Sequence, residues 1–108
     1  MGSELIKRGE DLPNHIWSAH INIKNPDLVC QIHKDYISAG SRYITTNTFR
    51  TTQRSYSKTG LTKTEATNIA DKSLKIAVKA AKDASEGNVK VLGSIAPLED
   101  CYQPELFP

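Results

Sequence analysis

The chain has 108 residues, enough for one small domain, and its 38% apolar and 24% charged residues give a globular rather than a disordered balance. Its 14 basic and 12 acidic residues leave a net charge of +2, with the basic residues spread along the chain rather than gathered in a stripe, which argues against a nucleic-acid partner. No stretch approaches the roughly 18 apolar residues of a membrane span, and Met1 to Arg8 has no apolar core of a secretory signal, so the chain reads as cytoplasmic with no membrane partner.

In chain order, residues 3–9 are expected to form a short helix, with Ser3 as N-cap and Gly9 as terminator. Residues 10–24 read as irregular, anchored by Ile16, Trp17, Ile21 and Ile23, with Trp17 covering a core edge rather than touching a ligand. Asn25-Pro26 starts a helix over 26–39, since Asn accepts from the first-turn N–H groups and Pro has its φ already set. Leu28, Val29, Ile32, Tyr36 and Ile37 give it one apolar face, and Gly40 closes it. A β-branched run, Tyr43-Ile44-Thr45-Thr46, reads as a buried strand, followed by the polar Asn47-Thr48-Phe49-Arg50. Gln53 to Gly60 reads as a loop or a helical turn.

Thr62 and Glu65 form a capping box, because the hydroxyl and the carboxylate each satisfy an orphan backbone N–H. The long helix that follows carries an alanine-rich face suited to close packing on a sheet, and Gly87 is expected to end it. Val89 to Leu92 reads as a second strand, leading into Gly93-Ser94, and the segment 96–108, with Pro97, Pro104 and Pro108, reads as irregular. Strands alternating with helices imply a parallel βαβ crossover. Two such strands do not complete a parallel sheet, which needs both faces covered, so the chain reads as part of something larger. A polar strand end in such folds is where ligands bind, although a plain polar loop is the default for such a stretch.

Several segments, in order, carry more than the pattern does: Gly2-Ser3-Glu4-Leu5, Lys7-Arg8-Gly9, Trp17-Ser18-Ala19, Asn25-Pro26-Asp27-Leu28, His33 with Asp35-Tyr36, Ala39-Gly40, Ile44 to Phe49 and Gly93-Ser94-Ile95. Together they resemble the N-terminal third of the homocysteine S-methyltransferase family. The ending Pro97 to Tyr102 is similar to one branch of it. The resemblance implies an α/β fold, a partial (β/α)₈ barrel, with residues 1–108 as an N-terminal fragment of the homocysteine-binding domain covering about its second and third strands. It implies a methyltransferase whose partners are homocysteine and a methyl donor such as S-methylmethionine or S-adenosylmethionine, with methionine as product and zinc as cofactor. The family's first strand ends in Asp-Gly-Gly or similar, and here Met1 stands in that place. The zinc cysteines of the family come from later strands, so neither Cys30 nor Cys101 is expected to be a ligand; both read as ordinary reduced thiols. The 108 residues alone are therefore expected to be inactive. The alternative is a non-catalytic βαβ fragment or module completed by another chain, and its open strand edges make aggregation the expectation.

The resemblance implies substrate binding by Thr46, Asn47, Thr48 and Phe49 at the end of the first visible strand, by Gly2 and Ser3 before it, and by Gly93 and Ser94 after the second. Hydroxyls and an amide there would hold the amino-acid carboxylate, and the small residues would let backbone N–H groups approach. Against that stand plain readings, a structural strand end for 46–49 and a helix cap for Gly2 and Ser3. His15, His20 and His33 have no metal-ligand spacing, and His33, Asp35 and Tyr36 read as structural. Glu99-Asp100 reads as a solvated loop.

Overall fold

The structure, a computed structural model, describes residues 1–13, 16–85, 87 and 89–95. The expectations for His15, the 96–108 segment, Glu99-Asp100 and Cys101 lie outside these residues. The elements are α1 (Gly2–Lys7), a 3₁₀ turn (Trp17–Ala19), α2 (His20–Lys24), α3 (Pro26–Ser38), β1 (Tyr43–Thr45), α4 (Gln53–Ser57), α5 (Lys63–Ala84) and β2 (Lys90–Leu92). β1 and β2 pair in parallel, with Tyr43 opposite Lys90, Ile44 opposite Val91 and Thr45 opposite Leu92. The expected βαβ crossover is therefore present, with α5 as its helix.

Local chemistry sets most of the boundaries. The Leu28 N–H donates to Asn25 Oδ1 at 3.2 Å, and Pro26 opens α3. The capping box is complete: the Glu65 N–H donates to Thr62 Oγ1 at 3.2 Å and the Thr62 N–H to Glu65 Oε1 at 3.1 Å. The backbone hydrogen bond from Thr62 holds the Glu65 carboxyl below its usual range. Thr52 caps α4 in the same way, through the Ser55 N–H.

Four expectations are corrected. α1 starts at Gly2 with Met1 as its N-cap, and Ser3 lies inside the helix. The 10–24 segment is not irregular throughout, since the 3₁₀ turn and α2 occupy 17–24 and bury Ser18, Ala19, Ile21 and Asn22; packing against α5 overrides weak local propensity there. α5 stops at Ala84, three residues before Gly87, because Ser85 already turns to an extended backbone (ψ 139). β1 ends at Thr45, and only Ile44 of its three residues is buried.

The core lies on the helix side of the strands. One cluster joins Leu5, Ile21, Val29, Ile32 and Ala80, from α1, α2, α3 and α5. A second joins Ile16, Ala19, Tyr56, Ala66 and Ala70 beneath the first half of α5. α5 buries Ala66, Ala70, Ser73, Ala77, Ala80, Ala81 and Ala84, a stripe of small side chains that lets its neighbours approach closely. On the surface, the Arg8 guanidinium ties α1 to α3 by reaching Glu4 at 2.9 Å and Asp35 at 2.8 Å. That bond, with one from Gln31, holds the Asp35 carboxyl below its usual range.

Ser73 breaks the alanine stripe and is fully buried. Its Oγ accepts from Asn22 Nδ2 at 3.0 Å and from the Tyr56 hydroxyl at 2.9 Å, and donates to the Ala19 carbonyl at 3.3 Å. Burial pushes the Tyr56 hydroxyl above its ordinary range. His33, in α3, is also buried, and among the described residues its Nε2 has no hydrogen-bond partner.

Three outcomes follow from these contacts. Thr62→Ala should lower the unfolding free energy by about 1 kcal/mol in urea titrations, the usual value of such a cap. Ser73→Ala should cost about 1–3 kcal/mol, chiefly through the Asn22 N–H it leaves unpaired, since the Tyr56 hydroxyl still has the Ala19 carbonyl at 3.3 Å. Combined with Tyr56→Phe it should cost less than the two separate losses added, because both remove the same bond. Burial holds the His33 pKa below its ordinary value, so the unfolded chain takes a proton that the folded chain resists. Stability is then fullest above about pH 6.5 and falls as pH drops through that value toward the lower folded one. The urea midpoint measured from about pH 7 to 5 should fall, and His33→Gln should flatten that fall.

Candidate functional site

The two strands are three residues each, and side chains prolong their pairing. The Thr46 N–H donates to the Leu92 carbonyl at 2.7 Å, the last backbone bond of the ladder. Beyond it the Thr48 hydroxyl takes over. It donates to the Ser94 carbonyl at 2.7 Å and accepts from the Ser94 N–H at 3.0 Å. A hydroxyl has one proton, and a carbonyl can only accept. The 2.9 Å contact between the Thr46 and Thr48 hydroxyls is therefore donated by Thr46. Thr51 Oγ1 donates to the Thr48 carbonyl at 2.7 Å, and Thr52 Oγ1 to Ser55 Oγ at 3.0 Å. These threonines thus turn their protons inward and leave only lone pairs for anything outside.

Asn47 turns the other way. Its Nδ2 donates to the Ser18 carbonyl at 2.8 Å and to Asn22 Oδ1 at 2.9 Å, while Asn22 Nδ2 donates to the Asn47 carbonyl at 2.9 Å. Both side chains are buried, and the reciprocal pair fixes the strand end to α2. Phe49 is half-buried, with the Arg50 guanidinium 5.3 Å from its ring centre. Arg50 has φ 61 and Trp17 has φ 50, both in the left-handed region that side chains rarely adopt. Trp17 is 38% exposed. Its indole lies so close to Gly2 that a Cβ there would stand 2.7 Å from Nε1. Gly2 is therefore needed for close approach, and Ser3 beside it is exposed.

Of the eight residues singled out in the sequence, Thr46, Thr48, Gly93 and Ser94 line one cleft of about 480 Å³. Gly2, Ser3, Asn47 and Phe49 do not line it. The cleft also takes in Thr51, Thr52, Leu74, Val78, Lys82, Val91 and Ile95, which the sequence reading missed. Thr51 and Thr52 directly follow the strand-end motif, which was a usable signal, whereas Lys82 carried none. The parts played by Asn22, Ser73 and Tyr56 were also missed; a lone serine in an alanine stripe was the available sign. Among the described residues no three His, Cys, Asp or Glu side chains come together as a metal site. Cys30 is a free, half-buried thiol on α3.

The family model for homocysteine S-methyltransferase matches residues 1–107. The homocysteine S-methyltransferase of Escherichia coli is 31% identical over 102 residues, covering 90% of this chain and 33% of that protein. The homocysteine S-methyltransferase YbgG of Bacillus subtilis is 34% identical over 80 residues, covering 74% of this chain and 25% of that protein. Crystal structures of the E. coli homocysteine methyltransferase MmuM, in oxidised and metallated forms, superpose with a TM-score of 0.66 at 31% identity, covering 90% of this chain and 35% of theirs. The chain thus spans about a quarter to a third of the length of these relatives. With the family model matched over nearly its whole length, the chain belongs to the homocysteine S-methyltransferase family.

Proposed function

We propose that these residues serve a homocysteine S-methyltransferase, which moves a methyl group from a sulfonium or related donor, such as S-methylmethionine or S-adenosylmethionine, to the homocysteine thiol and forms methionine. The observation that carries this reading is the family match over residues 1–107, in which the Thr46–Phe49 stretch falls at the carboxyl end of a parallel strand. In this reading β1 and β2 are the second and third strands of a (β/α)₈ barrel, residues 1–108 belong to its homocysteine-binding domain, and the protein is cytoplasmic. Among the described residues no helix is long and apolar enough to cross a membrane.

The chemistry is a displacement at carbon. The thiol loses its proton, the sulfur forms a bond to the methyl carbon, and the carbon–sulfonium bond breaks so that the donor leaves as a neutral thioether. Among the described residues no cluster of His, Cys, Asp or Glu fits a metal centre, so none of them is assigned to the zinc of this reading. What these residues contribute is placement of the amino acid. Thr46, Asn47, Thr48, Phe49, Gly2, Ser3, Gly93 and Ser94 form its binding face in two ways. Asn47 and Thr48 are positioning residues, since their protons go to Ser18, Asn22 and Ser94. Gly93 keeps the backbone open to a carboxylate, Gly2 makes room for the Trp17 indole, and Thr46 presents lone pairs to an ammonium.

The test is a chimera in which residues 1–108 replace the matched segment of the E. coli enzyme. It should form methionine from homocysteine and S-methylmethionine. Thr48→Val should lower kcat/KM by about ten- to a hundredfold while circular dichroism stays unchanged, as expected for a lost positioning contact. A folded chimera without methyl transfer would refute the reading.

A further inference from the structure

The hydroxyls at the strand ends limit what can hold an amino-acid carboxylate. Thr46, Thr48, Thr51 and Thr52 all donate their protons within the chain. A carboxylate only accepts hydrogen bonds, so these oxygens offer it nothing. The donors left around the cleft are the Ser94 hydroxyl, the exposed Lys82 ammonium out on α5, and the backbone.

Asn22 decides where one backbone donor points. It lies on α2 and is fully buried. Its Nδ2 donates to the Asn47 carbonyl at 2.9 Å and to Ser73 Oγ at 3.0 Å, and its Oδ1 accepts from Asn47 Nδ2 at 2.9 Å. One side chain thus holds Asn47 at both its main chain and its amide. In a trans peptide the C=O and the following N–H point in opposite directions, and among the described residues no peptide is cis. With the Asn47 carbonyl drawn to α2, the Thr48 N–H points away from α2. The Thr48 hydroxyl already spans the Ser94 carbonyl and N–H, so this donor sits where the two strand ends meet. Thr48 is only 7% exposed, and among the described residues its N–H donates no hydrogen bond. A nearly buried donor without a partner is costly, and an acceptor carried by a ligand removes that cost.

We propose that Asn22 is a positioning residue for the amino-acid substrate: its clamp on Asn47 aims the Thr48 N–H at one oxygen of the substrate carboxylate. Ser73 acts one step further back, since its Oγ takes the second Nδ2 proton and fixes the rotation of the Asn22 amide. Neither Asn22 nor Ser73 lines the cleft. The role rests on the methyl-transfer reading above.

The test takes initial rates of the E. coli chimera with homocysteine and S-methylmethionine each varied. Asn22→Ala should raise the KM for homocysteine by about tenfold, the size of one charge-assisted hydrogen bond, and leave the KM for S-methylmethionine within about twofold. The inhibition constant of aminopropanethiol, which is homocysteine without its carboxylate, should not move. Thr62→Ala loosens the fold elsewhere and should change none of these constants. If Asn22→Ala does not fold, Ser73→Ala decides, with a rise in the homocysteine KM of about two- to fivefold by the same route. Equal weakening of aminopropanethiol and homocysteine overturns the proposal, because the loss is then general. So does an unchanged homocysteine KM in a folded variant. A folded chimera that keeps Asn22 and transfers no methyl group overturns the activity reading and this role with it.

Discussion

A ladder of two three-residue strands holds little by itself, and a parallel pair is weaker per residue than an antiparallel one. What fixes the end of β1 is the reciprocal amide pair of Asn22 and Asn47. Each side chain reaches toward the other's segment, and both are buried. In a low-dielectric interior such bonds are strong and costly to leave unmade, so the pair sets one position for the strand end relative to α2. The network continues through Ser73 to Tyr56 and to the Ala19 carbonyl, joining the 3₁₀ turn, α2, α4 and α5 in one polar spine. The two apolar clusters lie to either side of it.

This arrangement divides the labour along the strand-end motif. Asn47 faces inward and holds the helices. Thr48 clasps the backbone of Ser94 and joins the two strand ends beyond their ladder. Thr46 feeds its proton to Thr48 and keeps its lone pairs. Three adjacent residues that look alike as polar loop chemistry therefore have different duties, one tying the strand end to a helix, one joining the strand ends and one offering an acceptor. The left-handed backbone of Trp17 and of Arg50 marks the two connections around this point, and Gly2 is pressed under the Trp17 indole. Strained backbone persists where surrounding contacts enforce it.

The packing is one-sided. α5 packs its small side chains against α2, α3 and α4, and its Leu74 and Val78 line the cleft with Val91 of β2. On the opposite face of the strands Tyr43 is 65% exposed and Leu92 46%. These surfaces agree with a chain that spans about a quarter to a third of its relatives' length, and they separate the question of what the strand ends bind from the question of what covers the sheet.

The sequence by itself determined the elements whose causes are local. Asn25-Pro26, Thr62 with Glu65, and the alanine stripe act within a turn or two of the chain, so the starts of α3 and α5 and the βαβ order were readable from it. The ordered motifs also carried the family, because their spacing survives without any knowledge of contacts. Tertiary structure decided the rest. α2 forms where packing on α5 outweighs a sequence with no helical signal, and α5 ends where Ser85 extends, three residues before the glycine. Which way each residue of Thr46-Asn47-Thr48 points was likewise a tertiary matter. Their partners, Ser18, Asn22 and Ser94, lie 25 to 46 residues away along the chain, and only the fold brings those donors and acceptors within hydrogen-bond reach.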